Sequence, residues 1–494
     1  MNIASWMERS GVAFGTSGAR GLVTAMTDEI CCVYTQAFLR HLRAIGQFEA
    51  GALVAVAGDL RPSTPRIMAA CIAAIQLEGG VPVYGGTVPT PALCTYAFAR
   101  RMPSLMVTGS HIPADRNGIK FNRVDGEFLK SDEAAMRDVA VTVPDGLFRA
   151  DGSFVQAVSL PPVTDMVAEY VARYRDAFGD TVLKGQTLGV YQHSSVGRDV
   201  VPLILQALGA EVVPLARSEV FVPVDTEAVR PEDKALALEW GKEGRFQAVL
   251  TMDGDADRPL LADENGQWLR GDVLGILCAR FLKAAYVATP VSSNTALEKA
   301  AFAVQIYRTR IGSPYVIAAM QEAMTIGNTA AGPVVGYEAN GGFLLQTDVT
   351  LRAGVLSALP TRDAVLPMLA ALCAAAERGV TLSALCAELP SRFTASDRLK
   401  EMPTAQSRAA LEGLNKDTLA GAKALGFVAL CGDLERVDVT DGLRMTFANH
   451  EIIHLRPSGN APELRVYVEA ATQERATILL ENGLRAVSVW RDAG

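Results

Sequence analysis

The chain has no CxxC pair, and its eight cysteines are scattered, with Cys31 and Cys32 adjacent. That spacing excludes a disulfide framework or a thiolate zinc site and suits buried free thiols in a reducing compartment. Strong charge of either sign is also missing. The formal charge of -8 is mild and spread along the chain. It excludes a general affinity for nucleic acid, because phosphate backbones are held by clustered Lys and Arg. A local cationic pocket for a small anion remains compatible with it. Glu8 and Arg9 interrupt the N-terminal turns, so no signal peptide is expected. The longest apolar run, Ala364 to Ala376, contains Pro367 and is short for a membrane span. The expectation is a cytoplasmic protein with neither nucleic-acid nor membrane partners.

What is present is ordinary for a globular protein: 49% apolar and 20% charged residues. At 494 residues the chain exceeds a single core, and length alone suggests about three to four domains. From Leu53 short apolar runs alternate with helical periods. Leu53–Ala57 reads as a strand, Pro65 opens a helix carrying Ile67, Cys71 and Ala74, and Val81–Tyr84 is a strand. A helix over Pro91–Arg101 and a strand over Ser104–Val107 follow. Such spacing indicates parallel strands with crossover connections. The rhythm restarts near Thr187 and again near Asp272. After about residue 437 it gives way to four short strands, Val437–Val439, Leu443–Phe447, Glu451–Leu455 and Glu463–Val468, and a closing helix over Gln473–Ser488. The fold class expected is α/β: three similar α/β domains with mixed or parallel sheets, then a C-terminal α+β domain. The boundaries are placed at 1–158, 159–266, 267–380 and 381–494.

Five polar, glycine-rich stretches carry candidate chemistry, four of them adjoining a predicted strand, where ligands bind in open α/β sheets. Thr108-Gly109-Ser110-His111-Ile112-Pro113 sets a hydroxyl beside a histidine, with Lys120 ten residues on. Ser110 is a nucleophile or phosphate carrier, or else the cap of a polar turn. Asp253-Gly254-Asp255-Ala256-Asp257-Arg258 follows a strand with three carboxylates at alternate positions. These would repel one another without a cation, and all-oxygen ligation points to Mg2+ or a similar hard ion. An EF-hand is excluded because Arg258 occupies its obligatory glycine position. Glu338 and Asn340, among Gly336, Gly341 and Gly342, can hydrogen-bond neighbouring sugar hydroxyls or form a plain glycine turn. Arg456, Ser458, Gly459 and Asn460, with Arg465 beyond, make a nest for a dianionic phosphate or a β-turn. The fifth stretch, Phe14 to Gly21, carries Arg20 but neither a P-loop nor a Rossmann fingerprint.

In this order and at these intervals the five stretches resemble the α-D-phosphohexomutase family, from Phe14 to Arg465. That resemblance implies four domains around a central cleft, each contributing one loop. It implies a phosphoserine at Ser110 and Mg2+ on Ser110, Asp253, Asp255 and Asp257. Glu338 and Asn340 would bind sugar, and Arg456, Ser458, Gly459, Asn460 and Arg465 phosphate. Arg20, Lys120, His111 and Arg258 would serve the transfer, and Arg310 would contact substrate. The reaction implied interconverts hexose 1- and 6-phosphates through a bound 1,6-bisphosphate, which also serves as activator. Monomer or homodimer is expected.

The sequence departs from the family at Gly109 and Ile112, where Ala and Asn are usual, and at Gly342, where many members have His. Asn340, Asn460 and Ala461 are further departures. Loops Val107–Pro113 and Arg456–Pro462 look closest to bacterial phosphomannomutases, so mannose is favoured. A phosphoglucomutase or N-acetylglucosamine-phosphate mutase is the alternative, and a sugar-phosphate phosphatase or sensor the rival of another class.

Overall fold

The computed structural model describes residues 1–15, 18–327, 329–458 and 462–492. Three of its sheets repeat one plan. In the first, Val81–Thr87, Leu53–Gly58 and Ser104–Val107 lie side by side in parallel, and Arg116–Arg123 returns antiparallel beside the last. In the second the same places are taken by Glu211–Arg217, Thr187–His193, Ala248–Met252 and the antiparallel Pro259–Ala262. In the third they are Gln305–Thr309, Tyr286–Pro290, Val334–Tyr337 and Phe343–Leu345. The sequence reading has the parallel strands but not the antiparallel returns. Those returns are short, or polar as in Arg-Asn-Gly-Ile-Lys-Phe-Asn-Arg, and lack the apolar run that marks a buried parallel strand.

One position in this plan matters for function. The turn from the third parallel strand into its return contains Ser110 in the first sheet, the aspartates in the second and Glu338 in the third. Repetition of the topology therefore sets three chemically different loops at equivalent strand ends.

The C-terminal sheet is wholly antiparallel, ordered Phe393–Leu399, Leu464–Ala470, Ile452–Pro457, Leu443–Phe447, Leu434–Asp438. The helix Gln473–Asp492 packs on it. Phe393–Leu399 and the helices Thr404–Lys416, Thr418–Ala424 and Phe427–Cys431 were not expected from the sequence. The strand has a largely polar, half-exposed composition, and two of the helices are shorter than two turns. The run containing Pro367 forms the helix Val365–Arg378, buried through most of its length, with the proline in its first turn. Among the described residues no helix is long and apolar enough to cross a membrane.

The connecting helix Val167–Phe178 ties the sheets together. Tyr170 and Tyr174 both donate their hydroxyls to the buried carboxylate of Asp363, which also accepts from Val365 N. Burial and that carboxylate push both phenols well above their ordinary range. Asp363→Ala leaves two buried hydroxyls without an acceptor, at about 1–3 kcal/mol each. The variant should unfold several degrees below the parent in a calorimetric scan, and an unchanged midpoint would remove this clasp from the account.

Candidate active site

Ser110 sits just beyond strand Ser104–Val107, with φ at +55°, in the left-handed region that costs a non-glycine residue about 1–2 kcal/mol. What holds it there is Arg61. Its buried guanidinium donates to the carbonyls of Ser110 (2.9 Å), Ile112 (2.6 Å), Pro113 (2.7 Å) and Arg116 (3.1 Å). It is itself paired with Asp59 at 3.1 Å and lies 4.0 Å from the Phe221 ring. Asp59 accepts from Thr64 and Thr108 at 2.7 Å each, and Thr108 Oγ1 in turn accepts Ser110 N at 2.8 Å. The serine is thus carried on a polar lattice that is closed before any ligand arrives.

This lattice also explains Gly109. A Cβ there would stand 2.5 Å from Cζ of Arg61, and that guanidinium is fixed at both ends.

The second loop meets the first directly. Ser110 Oγ donates to Asp253 Oδ2 at 2.5 Å, and a Cβ on Gly254 would fall 2.6 Å from the Ser110 carbonyl. Asp253 Oδ1 accepts the backbone N–H groups of Asp257 and Arg258 at 3.2 Å each. Asp255 Oδ2 receives Thr90 Oγ1 (2.5 Å) and Lys120 Nζ (2.6 Å), and Lys120 also reaches Asp257 Oδ2 at 2.6 Å. All three aspartates are buried, with one oxygen of each lying within 4.8 Å of the others. Oδ1 of Asp255 and of Asp257 are buried without a hydrogen-bond partner. Two orphaned carboxylate oxygens beside a third carboxylate and a hydroxyl are the donor set of a hard divalent cation, so these residues fit Mg2+.

Electrostatics follow from crowding. Burial, then Asp255 and Asp257, raise the Asp253 carboxyl well above its usual range. For Asp257 burial acts in the same upward sense, but Arg362, Lys120 and Arg258 outweigh it and hold the group low. Burial would likewise strip Lys120 of its proton, yet the two carboxylates raise it, so it is an ammonium. His111 is pushed down to about 3 by burial and by Arg258. It is therefore neutral. Its Nδ1 accepts from Arg258 Nη1 at 2.8 Å and lies 3.4 Å from Ser110 Oγ. Arg20 is lowered to about 10 by burial and by Arg258. Its strand Gly18–Leu22 pairs with Arg116–Arg123, which carries Lys120.

Glu338 joins this cluster through a residue the sequence reading passed over. Arg362 donates to Asp257 Oδ2 from Nε at 3.0 Å and to Glu338 Oε2 from Nη1 at 3.4 Å. Asn340 shapes its own turn, accepting Gly342 N on Oδ1 at 2.9 Å, while its carbonyl accepts Thr226 Oγ1 at 2.7 Å. A second cluster lies in the C-terminal domain. Arg456 Nε pairs with Asp441 at 2.8 Å, and Asp441 also accepts Ile311 N at 2.9 Å and stands 4.0 Å from the exposed Arg310. Ser458 N donates to Glu463 O at 2.8 Å, a turn closure; Gly459 and Asn460 lie outside the described residues. Burial and the nearby Asp225 raise the Glu227 carboxyl, against the charges of Arg270, Arg465 and Arg258.

Arg61, Asp59, Arg362, Asp441 and the segment 221–227 are the site residues that sequence reasoning missed. Asp59 and Arg61 follow strand Leu53–Gly58 directly, so the strand-end rule applied to the other loops was the available signal. Arg362 stands in an Arg-Asp pair just before a long apolar run, and two charges there were the clue.

The chain matches all four Phosphoglucomutase/phosphomannomutase models: alpha/beta/alpha domain I over residues 11–140, domain II over 168–266, domain III over 270–393 and the C-terminal domain over 397–482. A phosphomannomutase from Salmonella muenchen is 44% identical, covering 97% of this chain and 96% of its own. One from Sinorhizobium fredii is 45% identical, covering 97% and 99%. A crystal structure of a phosphoglucomutase/phosphomannomutase family protein from Burkholderia thailandensis superposes with a TM-score of 0.74 at 20% identity, covering 99% of this chain and 98% of that one. The chain belongs to the phosphoglucomutase/phosphomannomutase family. It is an intramolecular phosphotransferase, a phosphohexomutase.

Gly109→Ala tests the lattice under Ser110. With Arg61 unable to retreat, the added methyl should cost about 1–3 kcal/mol as overpacking, read as a lower midpoint in thermal or urea unfolding. A neutral result would mean that Arg61 can move.

Proposed function

We propose that this enzyme interconverts mannose 1-phosphate and mannose 6-phosphate, with phosphorylated Ser110 as the phosphoryl donor. The observation that carries the reading is the Ser110 hydroxyl held 2.5 Å from Asp253 Oδ2, beside two buried carboxylate oxygens with no hydrogen-bond partner. Mannose is favoured by the phosphomannomutases that are 44% and 45% identical over nearly the whole chain.

In this reading the Ser110 phosphoryl group passes to the free hydroxyl of the bound hexose phosphate, giving a 1,6-bisphosphate. The intermediate turns over in the cleft, and Ser110 Oγ takes back the other phosphoryl group, so no phosphate is lost. Asp253, Asp255 and Asp257, beside Ser110, would hold Mg2+, which would supply neutralising charge for the transfer. Lys120 contributes a fixed ammonium and Arg258 a guanidinium aimed by the neutral His111. Arg20 brings a further cation from the neighbouring strand. Glu338 and Asn340 accept sugar hydroxyls. Arg456, Ser458, Gly459, Asn460 and Arg465 hold the phosphate that is not reacting, and Arg310 approaches from the third domain. Hexose 1,6-bisphosphate in trace amounts restores phosphate to an enzyme that has lost it. All eight cysteines are free, most of them buried, which supports a cytoplasmic setting.

Purified protein with Mg2+ and a trace of hexose 1,6-bisphosphate should convert one mannose phosphate into the other without releasing inorganic phosphate. Ser110→Ala should abolish conversion, and Asp255→Ala should lower it by several orders of magnitude. Full activity of the serine variant would remove Ser110 as carrier. Inorganic phosphate formed in step with substrate loss would make the protein a phosphatase.

A further inference from the structure

Three consecutive residues at the end of strand Leu359–Asp363 each tie the third domain to a different part of the molecule. Thr361 Oγ1 donates to Glu127 of the first domain at 2.8 Å. Asp363 receives the two tyrosine hydroxyls of the connecting helix. Arg362, between them, is 2% exposed and reaches Asp257 of the second domain through both Nε and Nη2 at 3.0 Å. Its remaining Nη1 goes to Glu338 at 3.4 Å. With backbone pinned on either side, the guanidinium is a fixed point to which the two carboxylates come. Its planar fork can serve both at once, which a lysine ammonium could not do with the same geometry.

The space for this side chain is reserved by the sugar loop. A Cβ on Gly342 would lie 2.7 Å from Cδ of Arg362, 2.8 Å from Cγ and 3.2 Å from Cβ. Gly342 has no positive φ, so steric room for the arginine stem, not backbone strain, accounts for the glycine. The glycine and the arginine form one unit.

We infer that Arg362, seated on Gly342, is a positioning residue that fixes the Glu338 carboxylate relative to the aspartate loop and so sets how tightly the sugar phosphate is held, an assignment that rests on the mutase reading for what Glu338 binds. A carboxylate offers about four acceptor sites, and one long bond to Arg362 orients Glu338 while leaving the others for sugar hydroxyls. Arg362, anchored on Asp257, acts through Glu338 and touches no reacting atom.

Calorimetric titration of mannose 1-phosphate into the dephosphorylated full-length protein, with Mg2+ present, tests this. Arg362→Met and Gly342→Ala should each weaken binding more than threefold. The Gly342 variant keeps every charge, so it decides the matter if the Arg362 variant does not fold. In a Glu338→Gln background Arg362→Met should cost less than threefold, because its route of action is already gone. Steady-state kinetics should show the loss chiefly in KM. Binding within threefold of the parent for a folded variant of either residue, or an undiminished Arg362→Met effect in the Glu338→Gln background, overturns the assignment. Failure of the unaltered protein to isomerise mannose phosphates is a separate result that counts against the mutase reading alone.

Discussion

Everything in the site depends on how three buried carboxylates come to share one small volume with a serine hydroxyl. Carboxylates this close and this dry repel strongly, and burial of an unpaired charge costs several kcal/mol. The fold meets that cost with cations from three directions: Lys120 from the first sheet, Arg258 from the aspartate loop and Arg362 from the third. The Ser110 hydroxyl adds a neutral donor on Asp253. Compensation stops short of completion, because Asp255 and Asp257 each retain a buried oxygen without a hydrogen-bond partner. A fully satisfied cluster would be a structural salt-bridge network with no room for a divalent ion.

Topology makes the convergence possible. Each of the three α/β sheets brings its third parallel strand to the same end and turns there into an antiparallel return. One local rule, polar residues at that turn, is thus applied three times with different chemistry: a hydroxyl, a carboxylate triplet, a carboxylate with an amide. The first loop needs the most support, since Ser110 is strained. It receives this from Asp59 and Arg61 at the end of a neighbouring parallel strand, so two strand ends of one sheet cooperate on a single serine.

The parallel strands and the loops were legible in the sequence because both have short-range signatures: apolar runs for buried strands, and alternating acidic or glycine-rich residues for the turns. Thr187, Asp253 and Tyr286 could be placed that way without any knowledge of their neighbours. What was not legible is what depends on pairing across long separations. Arg362 is 105 residues from Asp257 in the chain, and Arg61 is 49 from the Ser110 carbonyl it holds. A lone arginine carries no mark of the acceptor that folding brings to it. Gly109 and Gly342 stand out as departures from the family resemblance, but only the folded structure shows that each vacates space for one of these arginines. The helices between Thr404 and Cys431 were missed for a related reason. They are short or only partly buried, so their apolar periodicity is weak.

The manner in which the fourth domain is attached completes the physical picture. One continuous apolar core runs through the first three sheets and the connecting helix, whereas the described apolar core of the C-terminal domain is a separate cluster. Among the described residues its links to the rest include polar ones. Asn294 donates to the Arg392 carbonyl, Thr295 bonds Glu469, and Asp441 receives Ile311 N while pairing with Arg456. Interfaces of that kind exchange hydrogen bonds at little net cost, while a shared apolar core resists sliding. The apolar core shared by the three α/β sheets therefore fixes the loops of Ser110, the aspartates and Glu338 relative to one another.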